Sequence, residues 1–396
     1  MTKCKKVVIV CRYNDNLFIL NHHTMSKRYL GIAAAVVIIV IGVAVFRNQA
    51  QANTITIGAV YPLTGGLATY GEPAQKTAQL AVDEINAAGG VNGKQLAIAF
   101  EDHACDGKKA VAAFNKLHDT QGVRVFTAAA CSGTISAMAP LLKDSVMLAP
   151  VTSATKLSGI SPNYFRNWAK DGDEAKLFAA EIQKRGYKTI GVINEETDYA
   201  KGLRLALEAD VKDMGVVVTG ESFASDATDV RTQVSKIKAL NPDVVFVSPQ
   251  TVPNAEKVLK TMTDLGFKPK VLFVNDNIVK ASALLAKYPA LLEGAIGGDY
   301  VVKNSPAFDA VLAKYKAKYG ADCPQKNICV AVYDSVKLLA QAVGEKGTDA
   351  NALQSYLATV NYGGASGMIS FDEKHDRRNA DYSLFVVHGG ASQLYQ

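Results

Sequence analysis

Three short stretches carry side chains suited to holding a small anion: Thr64-Gly65-Gly66, Cys131-Ser132-Gly133 and Thr152-Ser153-Ala154-Thr155. Each falls at the carboxyl end of a predicted strand. In parallel α/β sheets, ligands bind beyond those ends. Hydroxyls and backbone N–H groups at helix starts suit a carboxylate. The same residue types also serve as plain helix caps, and Thr-Gly-Gly is ordinary turn chemistry. Spacing alone leaves both readings open. Covalent catalysis has less support. Gly58-Ala-Val-Tyr-Pro62, after the first strand, is not a dinucleotide fingerprint, and the chain holds no P-loop, no G-x-S-x-G elbow and no H-E-x-x-H. His22 and His23 lie near the N-terminus, and His103, His118, His375 and His388 are scattered. We expect structural or solvent-facing histidines, no enzyme activity and no cofactor.

Six cysteines are present. Cys4 and Cys11 lie in an N-terminal piece set apart below. The remaining four, Cys105, Cys131, Cys323 and Cys329, suggest disulfides in an exported chain. Three pairings are possible, and short separations favour Cys105–Cys131 and Cys323–Cys329. A zinc site is the competing reading, but there is no C-x₂-C, and His103 and His118 lack ligand-like spacing. Free buried thiols are the other alternative.

These residues need elements to position them. A β-branched run at 54–60 reads as a first strand, with a helix at 72–88 and strands at 95–101, 123–127 and 146–150. Asp106 is a good N-cap for a helix from 107 to about 120, and Ser132 or Thr134 for a helix reaching Lys143. The rhythm restarts after a break near Asp171. Strands at 188–193, 216–222, 243–247 and 270–274 alternate with helices at 198–213, 229–240 and 253–265. Helical patterns at 305–319, 328–343 and 349–359 follow, then β segments at 368–371 and 382–388. Such alternation implies parallel sheets wrapped by helices, in two lobes joined by short crossovers.

The formal charge of +6 does not sit on these lobes. Residues 1–52 hold seven of the 43 basic residues and one of the 37 acidic ones, leaving 36 of each in 53–396. A basic stripe for nucleic acid is therefore not supported. Lys27 and Arg28 precede an uncharged run from Leu30 to Phe46, and Ala50-Gln51-Ala52 follows. That order describes a secretory signal. The run is slightly short for a spanning helix, so a membrane anchor at 30–46 is the alternative. The basic flank keeps that end cytoplasmic in either case. Met25 then reads as the true start, with residues 1–24 surplus. No Cys directly follows the run, so no lipid anchor is expected there.

Ile55-Thr-Ile-Gly-Ala-Val-Tyr-Pro-Leu-Thr-Gly65 followed by Tyr70-Gly-Glu72 resembles the opening of the branched-chain amino-acid-binding (Leu/Ile/Val-binding) proteins, type I periplasmic substrate-binding proteins of ABC transporters. Ala81-Val-Asp-Glu-Ile-Asn-Ala-Ala-Gly-Gly-Val-Asn-Gly93 is similar to that family's first helix and turn. Asp102-His-Ala-Cys-Asp106 with Cys131-Ser132, Pro150-Val-Thr-Ser-Ala-Thr-Lys-Leu-Ser158 and Asp198-Tyr-Ala-Lys-Gly202 resemble its first-lobe disulfide, its ligand loop and the start of its second lobe. The likeness covers essentially all of 53–396. It implies two Rossmann-like lobes joined by three crossovers, with residues 53–171 and 301–382 in the first and 172–300 and 383–396 in the second. It also implies a ligand in the cleft. Ser132 and Ser153 would hold its carboxylate, and the Val151 carbonyl and Asp276 its ammonium. Tyr70 and Tyr199 would line the walls. Packing is an equal reading for the two tyrosines, and a solvated loop acid is the alternative for Asp276.

Two departures touch specificity. Around Ser248-Pro-Gln-Thr-Val-Pro253 the family's aromatic is missing, leaving Gln250 or Thr251 in that stretch, and Asp276 is one methylene shorter than Glu. A smaller or more polar amino acid, or an amide, is compatible with both changes. The expected protein is a monomer that captures an amino-acid-like ligand and delivers it to an ABC transporter permease from the periplasm or another extracytoplasmic space. A ligand-sensing receptor of the same fold is the alternative. A precursor with its signal blocked is expected to begin at Met25, and the exported chain at Asn53. N-terminal sequencing that finds Met1 on the precursor overturns the first expectation.

Overall fold

The computed structural model describes residues 9–13, 16–20 and 53–396. Met25, the apolar run 30–46 and Ala50–Ala52 lie outside the described residues, so the signal and anchor readings fall there too. Ile9–Tyr13 and Asn16–Leu20 pair as an antiparallel hairpin. Among the described residues no helix is long and apolar enough to cross a membrane.

Residues 54–166 supply a first sheet of β1 (Thr54–Tyr61), β2 (Gln95–Asp102), β3 (Val125–Ala128), β4 (Val146–Ala149) and β5 (Tyr164–Arg166), in the order β2-β1-β3-β4-β5. A second sheet takes β6 (Thr189–Glu195), β7 (Val217–Phe223), β8 (Val244–Ser248), β9 (Leu272–Val274), β10 (Ile296–Tyr300), β11 (Tyr382–His388) and β12 (Ala391–Leu394), in the order β12-β11-β10-β9-β8-β6-β7. The first five strands of each sheet thus share one winding order, 2-1-3-4-5. Strands β3, β4 and β8 are buried at every residue, which is why they read as apolar runs without alternation. The second sheet is not wholly parallel. β11 pairs antiparallel with β10, and β12 antiparallel with β11.

The cores show how the chain is shared out. Val330, Val336 and Leu339 of the helix Lys326–Lys346 pack in one cluster with Ile57, Val125 and Leu148. Ile193, Val245, Val274 and Val387 belong to another. The chain therefore passes between the two halves three times: after β5, after β10 and before β11.

Several local readings differ from the structure. The helix Asp171–Arg185 was not expected, although Asp171, Asp173 and Glu174 in its first turn and a left-handed Gly186 at its end are ordinary helix signals. The short β5 and the glycine-containing β10 (Ile-Gly-Gly-Asp-Tyr) were also missed. Asp106 caps its helix as expected, accepting from Lys109 N at 2.8 Å. Neither Ser132 nor Thr134 caps the next one. Cys131 occupies that position in a left-handed conformation, and the Thr134 hydroxyl donates back to its carbonyl at 2.8 Å. The first helix starts early, at Ala68, and Gly71 explains how it fits. A Cβ at that position would lie 1.9 Å from the Pro62 carbonyl oxygen.

One buried ion pair ties the ligand-loop region to the rest of its half. Arg166 and Asp376 are both essentially fully buried. The guanidinium donates through Nε to Asp376 Oδ1 at 2.9 Å, through Nη1 to the Ala154 carbonyl at 2.9 Å and through Nη2 to Ser158 Oγ at 2.8 Å. Removing Arg166 leaves the buried Asp376 with only Lys170, 3.8 Å away, and breaking a buried pair costs about 3–5 kcal/mol. Arg166→Met is expected to lower unfolding stability by about that amount in urea titration. A loss below ~1 kcal/mol would show that the pair holds nothing together.

Candidate functional site

Both sheets bring the carboxyl ends of their strands to one cavity of about 350 Å³. In a 2-1-3-4-5 sheet the loops after strands 1 and 3 leave to opposite faces, which opens a crevice at that point. The first sheet supplies Leu67 after β1, Cys131 and Ser132 after β3, Val151 and Ser153 after β4, and Trp168 after β5. The second supplies Tyr199 after β6, Gln250 after β8, Asp276, Asn277 and Lys280 after β9, and Asp299 from β10. A volume of this size is at the small end of ligand cavities, on the scale of an amino acid.

The first sheet's loops are conformationally strained. Ala130, Cys131 and Val151 have φ of 57°, 57° and 62°. A β-branched residue in the left-handed region is costly, and such outliers gather at binding sites. Ser132 Oγ accepts from Ala154 N at 3.2 Å, which fixes the hydroxyl oxygen and leaves its proton to donate. The disulfide Cys105–Cys131, with Cα atoms 5.5 Å apart, braces the same turn. Thr64 does not contribute. Its hydroxyl and its N–H both donate to Asp102, the latter at 3.2 Å, so this stretch is turn chemistry.

The second sheet's side is acidic and dry. Tyr199 donates its hydroxyl to Asp276 Oδ1 at 2.6 Å, and Asn277 N donates to the same oxygen at 2.8 Å. Burial raises the Asp276 carboxyl, against the pull of Tyr199 and Asn277 N. Burial, with the charge of Asp276, pushes Asp299 up to about 7, while Lys280 at 3.5 Å acts against it. Asp171 is also pushed up to about 7, chiefly by burial, although the Ser153 hydroxyl and Arg166 favour its charged form. Glu174 stands well above its ordinary value through burial and then the charges of Asp276, Asp171 and Asp299. It fits only because residue 298 is glycine: a Cβ there would lie 2.4 Å from Glu174 Oε1. Four carboxyls thus outnumber the cations beside them, Lys280 at Asp299 and Arg166 at Asp171. The region favours an incoming cation.

Tyr70 joins the halves, donating its hydroxyl to Asn277 Oδ1 at 2.8 Å. Thr251 stands apart. Its Oγ1 accepts from Asn254 N at 3.3 Å, capping the helix Val252–Asp264, and Gln250 is the residue of that stretch that lines the cavity. Gln250 N donates to Glu195 Oε2 at 2.7 Å, which holds it there. Sequence reasoning did not single out Trp168, Asn277, Lys280 or Asp299. Trp168 follows β5 and Asp299 lies in β10, the two missed strands. Among the described residues no cluster of His, Cys, Asp and Glu is arranged to hold a metal.

Comparison with known proteins agrees with this architecture. The sequence profile of the periplasmic binding protein family matches residues 54–391. The leucine-, isoleucine-, valine-, threonine- and alanine-binding protein of Pseudomonas aeruginosa is 28% identical over 351 residues, covering 86% of this chain and 92% of the relative. The Leu/Ile/Val-binding protein of Escherichia coli is 26% identical over 361 residues, covering 88% and 94%. The branched-chain amino acid transporter substrate binding protein LivJ of Streptococcus pneumoniae, solved with isoleucine, superposes with a TM-score of 0.73 at 25% identity, covering 86% of this chain and 99% of that one.

The raised carboxyls set a pH dependence. In the unfolded chain an aspartate titrates near 3.9. Between that value and about 7 the folded protein holds protons on Asp171 and Asp299 that the unfolded chain has lost. Their contribution to stability is complete below about pH 4 and is lost as pH rises through about 7. Without ligand, Asp171→Asn is expected to gain on the wild type as pH rises from 5 to 7.5, by up to about 1.4 kcal/mol per pH unit. Parallel curves for the two proteins would overturn this.

Proposed function

The chain belongs to the periplasmic binding protein family, and from that we propose that it is an extracytoplasmic solute-binding protein that captures an amino acid, of the branched-chain type, by closure of its cleft and delivers it to an ABC importer. The observation that carries this reading is the pairing of opposite chemistries across one cavity. Ser132 and the strained loop at Val151–Ser153 offer donors on one side, and Asp276 offers a buried carboxylate on the other. A zwitterion needs both. The relatives, named for leucine, isoleucine and valine, point to the same class.

In the proposed mechanism the ligand carboxylate takes the Ser132 hydroxyl proton and the N–H groups of residues 132 and 153. Its ammonium takes the Val151 carbonyl and Asp276. Oδ1 of Asp276 is already held by Tyr199 and Asn277, so Oδ2 faces the cation. An ammonium there neutralises part of a carboxyl cluster that is unfavourable when empty. The ligand therefore favours the closed form by the extra contacts that form provides. Tyr70–Asn277 and the Lys156–Asp198 ion pair, at 2.6 Å, join residues of the two halves and would be made on closure. No bond in the ligand is broken. Export would use the segment ahead of Asn53, and a membrane permease would receive the closed protein.

Trp168 is the single tryptophan, and it lines the cavity, so tryptophan fluorescence, excited selectively over the tyrosines, reports on the site. Titration with the twenty amino acids is expected to change it for leucine, isoleucine or valine. Silence toward every zwitterion in both fluorescence and calorimetry would sink the reading. Asp276→Ala is expected to lose at least roughly a hundredfold in affinity, about 2.7 kcal/mol. It should keep the wild-type melting temperature or exceed it, because it removes a buried, strained charge.

A further inference from the structure

The second disulfide lies at the ligand cavity. Cys323 and Cys329 are bonded, six residues apart, with Cα atoms 6.7 Å apart. All five residues between them, Pro324 to Ile328, line the cavity. Both cysteines are buried against Leu80 and Tyr315, whereas Pro324 and Lys326 are exposed and Gln325 and Asn327 are half-buried. The ends of the ring are thus fixed in the core, and its middle faces the cleft. Asn327 Nδ2 donates to the Tyr300 carbonyl at 2.8 Å, and the Tyr300 ring packs on the Trp168 ring with centroids 4.4 Å apart. Ring, crossover and Trp168 form one continuous wall.

Global stability is a poor explanation for such a short link. In the chain-entropy account, stabilisation grows with the length of loop closed. The Cys105–Cys131 bond spans 26 residues and the Cys323–Cys329 bond only six. What a seven-residue ring does well is hold a few backbone conformations in place. Preorganising a binding surface in this way lowers the ordering cost of binding. Across the cavity stand Tyr199 and the polar side chains of Gln250 and Asp276.

We propose that the Cys323–Cys329 ring is a specificity-determining wall of the cleft, presenting Pro324, Gln325 and Ile328 to the ligand's side chain and setting which amino acids are accepted. The proposal rests on the amino-acid reading above. The test compares wild type, the double variant Cys323→Ser/Cys329→Ser and Gln325→Ala, with L-leucine and L-threonine as probes in calorimetry and a thermal melt of each protein. The double variant is expected to lose roughly tenfold in affinity while its melting temperature falls by no more than about 4 °C. Gln325→Ala, which keeps the ring, is expected to change the ratio of the two affinities. A double variant that melts lower but binds both probes as the wild type does, together with an unchanged ratio in Gln325→Ala, overturns the wall. If the wild type binds neither these probes nor any other amino acid, the amino-acid reading fails, and the wall fails with it.

Discussion

A guanidinium that has left water must find every hydrogen bond inside the protein, and Arg166 finds its partners in two separate pieces of chain, the loop after β4 and the segment around Asp376. It bonds the carbonyl of Ala154, the hydroxyl of Ser158 and the carboxylate of Asp376. The loop after β4 is therefore fixed at a point only one residue beyond Ser153. The strained Val151 can persist because the segment that follows it has nowhere else to go. A surface ion pair would not impose this, because water would replace either partner at little cost. Burial makes the constraint stiff, and stiffness is what a preformed carboxylate site needs.

The opposite wall works by discomfort rather than by satisfaction. Asp171, Glu174, Asp276 and Asp299 are held close, dry and short of cations. Glu174 Oε1 and Asp171 Oδ2 are buried without a hydrogen-bond partner. Such groups are expensive in a folded protein unless something compensates them. The cleft therefore carries a cost that, in the proposed mechanism, an ammonium would relieve. Binding strength and the instability of the empty state come from the same residues, so some stability of the empty form is traded for affinity.

Much of this could be read in the sequence, for identifiable reasons. Long elements with one chemical rhythm, such as β1, β6 and the helix after Asp106, declared themselves. Ser132 and Ser153 stood out because strand ends in a parallel sheet converge, whereas Val151 and Asp276 were named only through the family resemblance. The failures share a cause. β5 is three residues long, and β10 carries two glycines because Glu174 and Val279 crowd against it. Local propensity is silent where long-range packing chooses the residue. Trp168 and Asp299 went unnoticed because one follows β5 directly and the other lies in β10. Of Gln250 and Thr251, both left open by the sequence, Gln250 lines the cavity in place of Thr251. The Thr251 hydroxyl was claimed by a helix terminus, a local demand that competes with ligand binding for the same residue type. The Cys323–Cys329 ring looked like a staple because its contact with the cavity depends on helix packing more than two hundred residues from Tyr70.

The sharing of cores also governs how the molecule can be made. The first half's cluster needs Val330, Val336 and Leu339 as well as Ile57 and Val125, yet the whole second sheet up to Tyr300 lies between them in the chain. A polypeptide emerging from its N-terminus exposes β1, β3 and β4 long before the helix Lys326–Lys346 can cover them. Contacts of such sequence separation close slowly. Until they do, the early strands lack the helix that covers them. The three-crossover design thus builds in a delay, keeping the nascent chain pliable until nearly all of it is present.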